Sequence, residues 1–279
     1  MLGAVGIPSV VAFDGEQHLL LVEGEAVAAA LAQLRDYEHE LATADPRVVP
    51  AVPPPPVHIH PYAWVGSLLY AIVLVVVALA VGQGLWHVDD FDRGALDAAF
   101  VQAGQWWRAW TALTLHRDAA HLVANLGAGA WFGWLAARQL GVGSAWLLTV
   151  TGAAAANLFD ARFGPATYNS VGASTAVFTA LGLIAAHTWR TRLHLPQHWA
   201  RRWAPLYAGL VLLGWLGSAG EGTDVVAHAL GFAMGCGLGV LAAWPRFGRG
   251  LARVPQWSSG LLALGSLAGA WALALQGPA

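Results

Sequence analysis

Charge is what this sequence has least of. Only 11% of its 279 residues are Asp, Glu, Lys or Arg, against roughly a quarter in soluble domains. A water-facing surface cannot be built from so few charges, so lipid is expected to cover much of the protein. A net charge of -2 gives no basic surface for a nucleic-acid partner. Cysteine is down to one, Cys236, which makes no intrachain disulfide and says little about redox compartment. Met1 to Val11 has no basic n-region, no A-x-A site and no run of Arg. It is expected to be neither a secretory signal nor a mitochondrial transit peptide.

What the chain does have is apolar residues, 57% of the total, and 15 Trp. Several Trp end apolar runs, where an indole with one wet edge is stable. Residues 1–45 are predicted to be a small N-terminal cytosolic segment. In it, Val10–Phe13 and Leu19–Val22 flank Asp14-Gly15 as a hairpin, and Glu25–Thr43 has helical character. Residues 46–61 form a Pro-rich linker, stiff because proline fixes φ and lacks an amide proton. The membrane part follows. Tyr62–Trp86 carries no charge and is long enough to span about 30 Å of hydrocarbon. Shorter apolar runs are expected to form helices near 119–137, 143–159, 171–188, 204–219, 225–244 and 259–276. The expectation is an all-α polytopic bundle of seven spans, with a core over 62–245. Residues 246–279 add a cytosolic loop and an extra C-terminal helix.

Arginine placement gives the orientation. Arg138, then Arg190, Arg192, Arg201 and Arg202, then Arg246, Arg249 and Arg253 lie between alternate spans and are expected to be cytoplasmic. Asp89, Asp90, Asp92, Asp97, Asp160, Glu221 and Asp224 fall on the other side. The N-terminus is then inside and the C-terminus outside. His58, His60, His194 and His198 fall on the cytoplasmic side.

Polar side chains inside apolar helices are costly unless paired, which makes them functional candidates. His121 and Asn125, at i,i+4, share one helical face, and as a pair they also read as polar glue between helices. Ser174 follows Gly172-Ala173 at a helix start, where amides lack intrahelical acceptors; alone it reads as an ordinary cap. His228 lies one turn before Gly231, Gly235 and Gly239, a smooth stripe that lets another helix approach. Asp224, one turn before His228, is placed to orient the imidazole but reads first as an N-cap with Thr223. By the expected topology His121, Asn125, Ser174 and His228 share one depth. A serine needs a base to act as nucleophile, and histidine is the commonest.

Trp107-Arg108, His116 with His121-x-x-x-Asn125, Gly172-x-Ser174 and Ala227-His228-x-x-Gly231 resemble the motifs of the rhomboid intramembrane serine proteases of bacterial type, in the family's order. The resemblance covers about residues 62–245. It implies a six-helix core, with Ser174 as nucleophile and His228 as base in a dyad that needs no Asp. It implies Asn125, His121 and the Ser174 N–H as oxyanion donors, Gly172, Phe178 and Gly231 as supporting residues, and no cofactor or metal. The implied substrates are transmembrane proteins, cut near the outer face of the membrane. The expected membrane, a bacterial inner membrane, is read from the missing signal and transit peptides. Two positions depart from the family. Thr175 stands where a glycine is usual, and Phe178 where a tyrosine is often found. Phe178 keeps the i+4 spacing that sets a ring beside Ser174.

Other classes fit less well. A catalytically inactive rhomboid-like membrane chaperone or adaptor would keep the fold without needing both Ser174 and His228. A transporter would call for paired intramembrane carboxylates or an internal repeat, and neither is seen. A metalloprotease would call for H-E-x-x-H, whereas His116 and His121 are five apart.

Overall fold

The computed structural model describes residues 2–13, 18–43, 60–82, 90–193, 199–217 and 224–276. The chain divides into two compact units, Met1–Pro56 and Val57–Ala279. The division falls inside the predicted linker, whose residues 46–59 lie outside the described part, as do Asp14, Gly15, Trp86, Glu221, Thr223, His58, His194 and His198.

In the first unit, strand β1 (Ser9–Phe13) pairs antiparallel with β2 (His18–Val22), Ser9 opposite Val22 and Phe13 opposite His18. Helix α1 (Val27–Thr43) follows.

The second unit is a helical bundle. Its long helices are α2 (Ala63–Gly82), α6 (Ala119–Leu140), α7 (Val142–Phe163), α8 (Ser174–Arg192), α9 (Trp199–Gly217), α10 (Val225–Ala242) and α12 (Gln256–Gln276). Between α2 and α6 lie α3 (Asp90–Gly94), α4 (Ala98–Gln102) and α5 (Arg108–Thr111), and α11 (Pro245–Arg253) precedes α12. Four of the long helices, α2, α7, α10 and α12, are long and apolar enough to cross a membrane by length and composition. The other three hold charged or polar residues: Arg138, His121 and Asn125 in α6, Arg190 and Arg192 in α8, and Arg201 and Arg202 in α9.

Helix α8 is the hub and packs against α6, α7, α9 and α10. Residues Thr175–Leu183 are all buried, and many are Ala, Gly or Thr, small enough for close neighbours. The glycine stripe of α10 meets it backbone to backbone. A Cβ on Gly231 would sit 2.6 Å from the Thr175 carbonyl oxygen, one on Gly235 2.1 Å from that of Thr179, and one on Gly239 2.5 Å from that of Leu183. The two helices therefore run parallel in fixed register, with contact repeating every turn.

Residues 90–118, the described part of the segment between α2 and α6, pack into the bundle. Arg108 is buried and donates from Nη1 to the carbonyls of Asp92 (2.6 Å) and Ala95 (2.8 Å), and from Nε to Gln105 Oε1 (2.7 Å). These bonds satisfy carbonyls at the end of α3 and just beyond it, where a short helix leaves them without partners. A two-residue pairing, β3 (Leu96–Asp97) with β4 (Asn169–Ser170), joins this segment to the approach to Ser174. Helix α12 lies against α7. Gln256 accepts from the Ser144 amide and donates to the Ser144 hydroxyl, both at 3.1 Å. Its Trp271 donates to Thr114 Oγ1 at 3.0 Å.

Candidate active site

Ser174 is the first residue of α8, His121 is in the first turn of α6 and His228 is in the first turn of α10. The His121 and Ser174 side chains meet at Gly172. That glycine has φ +140, a conformation rarely open to residues with a Cβ. Its amide donates to the Ala112 carbonyl at 3.0 Å. A Cβ built there would lie 2.9 Å from His121 Nε2 and 3.5 Å from Ser174 Oγ. Without a side chain, Gly172 thus lets the His121 ring and the Ser174 hydroxyl close in on the same corner beside its backbone.

His228 is buried and approaches this corner along the α8–α10 register. One turn beyond the Gly231–Thr175 contact, that register brings His228 level with Gly172–Ser174. Its Nδ1 is 2.9 Å from the carbonyl oxygen of Gly217. A carbonyl only accepts, so Nδ1 carries the proton and Nε2 holds the free lone pair. Gly217 is the last residue of α9, where carbonyls have no intrahelical partner. The ring is also held by Phe178, centroid to centroid 4.5 Å at 39°. Ser174 Oγ itself makes no hydrogen bond among the described residues.

Asn125 is buried, and its Nδ2 donates to the His121 carbonyl at 3.0 Å, leaving its second N–H for another acceptor. Its own carbonyl accepts from Tyr70 of α2 at 2.8 Å. Asp118 caps α6, its Oδ1 accepting from the His121 amide at 2.8 Å, so the cap fixes where His121 begins its helix. His116 stacks edge-on against His121 at 5.1 Å, and its Nε2 faces the Ala173 amide at 3.4 Å. Burial, with the neighbouring His121 ring, pulls the His116 pKa down to about 4.

Asp224 does not orient the imidazole. It caps α10, with Oδ1 accepting from the Ala227 amide at 3.0 Å, and its Oδ2 accepts the Tyr168 hydroxyl. Burial and this bond push the Tyr168 pKa up. The group that holds His228 is the Gly217 carbonyl, which sequence reading missed. A main-chain carbonyl has no signature of its own; a glycine at a helix end was the only available hint. Among the described residues no group of His, Cys, Asp and Glu is placed to hold a metal ion.

A protein-family model, the Rhomboid domain, matches residues 103–245, just over half of the chain. The rhomboid protease GluP of Bacillus subtilis (strain 168) is 33% identical over 91 residues, 33% of this chain and 18% of that protein. The chain therefore covers less than a fifth of that relative's length. No solved structure matches. The matched region runs from the Arg108 segment through α10 and holds every residue around the Gly172 corner, and the chain belongs to the rhomboid family.

Proposed function

We propose that the protein is an intramembrane serine endopeptidase, with Ser174 as nucleophile and His228 as general base. The observation that carries this reading is the bond from His228 Nδ1 to the Gly217 carbonyl. It leaves Nε2 unprotonated in a helix register level with Ser174. In the proposed cycle, Ser174 Oγ attacks a peptide carbonyl carbon as its proton passes to His228 Nε2. The oxyanion forms beside Gly172, toward His121, the second N–H of Asn125 and the Ser174 amide. Such donors favour charge that develops only in the transition state. Collapse breaks the C–N bond, and His228 returns the proton to the leaving amine. Water, deprotonated by His228, then releases the acyl group from Ser174. The free-serine geometry is no obstacle, since catalytic hydrogen bonds are often long until substrate is bound.

In this reading all seven long helices cross the membrane, the bundle end with Ser174 faces outward, and the N-terminal unit is cytoplasmic. The substrates are membrane proteins whose transmembrane segment unwinds near that face. The test is cleavage of a reconstituted single-span substrate with small residues at the cut. Ser174→Ala and His228→Ala should each lower the rate by about 10³-fold or more. Cleavage unchanged in Ser174→Ala overturns the reading. Thr175 and Phe178, the two departures from the family pattern, favour the second reading, an inactive chaperone or adaptor. That reading expects no cleavage by a folded wild type.

A further inference from the structure

A second site lies beside the first, on a different face of the same bundle end. The C-terminus of α7, the turn at Gly164–Pro165 and the N-terminus of α10 line an open pocket of about 610 Å³. Its polar side chains are Asp160, Tyr168 and Asp224; much of the rest is apolar, including Phe159, Phe163 and Val226. The apolar walls are open to the outside: Phe163 is 72% exposed and Val226 59%. Residues of that kind, beside a span, are covered by acyl chains in a bilayer.

The floor of the pocket is short of positive charge. Asp160 is only 8% exposed, and its Oδ2 is buried with no hydrogen-bond partner among the described residues. Buried polar atoms are otherwise nearly always paired, because desolvation without a partner is costly. Tyr168 has one proton: its hydroxyl bonds Asp224 Oδ2 and also reaches toward the Asp160 carboxylate, and one proton cannot serve both. Arg162, two residues after Asp160 and so on another side of the helix, lays its guanidinium over the Phe163 ring at 5.8 Å. Residues 218–223, which precede Asp224, contain Glu221 and no basic side chain.

We infer that this pocket binds a primary ammonium group, supplied by the headgroup of an aminophospholipid. An ammonium brings three donors. The orphan Asp160 oxygen and the Asp224 carboxylate are acceptors of opposite charge, and the apolar walls suit the glycerol and upper chain of a lipid. A protein lysine would supply the same head, but a pocket walled by bilayer-facing apolar side chains favours the lipid. Because Asp224 also caps α10, an ammonium held there steadies the helix that carries His228. The site does not depend on peptide cleavage, and its test does not measure cleavage.

The test uses the full chain in neutral detergent micelles, with phosphatidylethanolamine or phosphatidylcholine of identical acyl chains. Binding is read by native mass spectrometry and by the shift in Tm. Phosphatidylethanolamine should stay bound and raise Tm in a saturable way. Phosphatidylcholine, whose quaternary nitrogen has no N–H, should do neither. Asp160→Asn should weaken phosphatidylethanolamine binding at least tenfold. Val226→Trp, which fills the mouth and leaves both carboxylates in place, should do the same and decides the matter should Asp160→Asn fail to fold. Equal response to the two lipids, or undiminished binding in the variant that folds, overturns the inference. So does a tetralysine peptide that raises Tm where phosphatidylethanolamine does not, an outcome that assigns the pocket to a protein ligand.

Discussion

His228 Nδ1 sits 2.9 Å from the Gly217 carbonyl oxygen, so one helix end fixes the tautomer of a histidine on the next. Asn at position 228 can keep a donor near that carbonyl but cannot take a proton from Ser174. His228→Asn should therefore fold, with Tm close to wild type, and lose serine reactivity. Near-wild-type reactivity in a folded His228→Asn would remove the base from the account.

Gly172 is required twice over, by its φ of +140 and by the space its missing side chain leaves. Gly172→Ala places a methyl 2.9 Å from His121 Nε2, inside the space proposed for the oxyanion. The expected result is a loss of cleavage of about 10²-fold or more, the size seen when an oxyanion donor is lost. Substrate binding should change less than turnover.

The α8–α10 contact is set by backbone, not side chains. At Gly235 a Cβ would be 2.1 Å from the Thr179 carbonyl oxygen, which cannot rotate away. Gly235→Ala should push the helices apart at a cost of about 1–3 kcal/mol, seen as a lower Tm. Cleavage should fall as well, because the displaced helix carries His228. By contrast Gly237 meets nothing within 4 Å, and Gly237→Ala should be silent or slightly stabilising.

His116 stays neutral in the fold, its pKa held down to about 4 by burial and by the His121 ring. In the unfolded chain it titrates near 6.5. Between those values the unfolded state binds the proton and the folded state does not, so stability falls as pH drops. Tm should be highest above about pH 6.5 and decline toward pH 4. Replacing His116 with Asn should flatten part of that decline. An unchanged slope would mean the ring is freely protonated where it sits.

The long helices were legible because hydrophobic runs and their polar breaks are local signals. Predicted runs such as 143–159 and 225–244 sit within or close to Val142–Phe163 and Val225–Ala242. Helices α6, α8 and α9 were legible in the same way, as the runs 119–137, 171–188 and 204–219, each within a few residues of its observed bounds at one end or both. The gathering of His121 with Ser174 at Gly172, and the register that brings His228 level with them, come from tertiary packing. In the sequence they could be reached only through spacing and family resemblance. The short helices α3 to α5 gave no periodic signal, since each has five residues or fewer and is held by contacts such as those of Arg108. Helix α12 was visible as an apolar run, but its anchoring through Gln256 to Ser144 and Trp271 to Thr114 spans 112 and 157 residues. No local pattern encodes bonds at such separation. Likewise Asp224 was legible as a cap, whereas its bond to Tyr168 was not.

The central claim is that His228 activates Ser174. Its most direct test is covalent labelling of the purified protein by a serine-reactive fluorophosphonate, with Ser174→Ala and His228→Ala alongside. No substrate needs to be known. The account predicts labelling of the wild type that is lost in both variants. A folded wild type that takes no label, in lipid as in detergent, would contradict it and favour the inactive adaptor, with Thr175 the first residue to suspect.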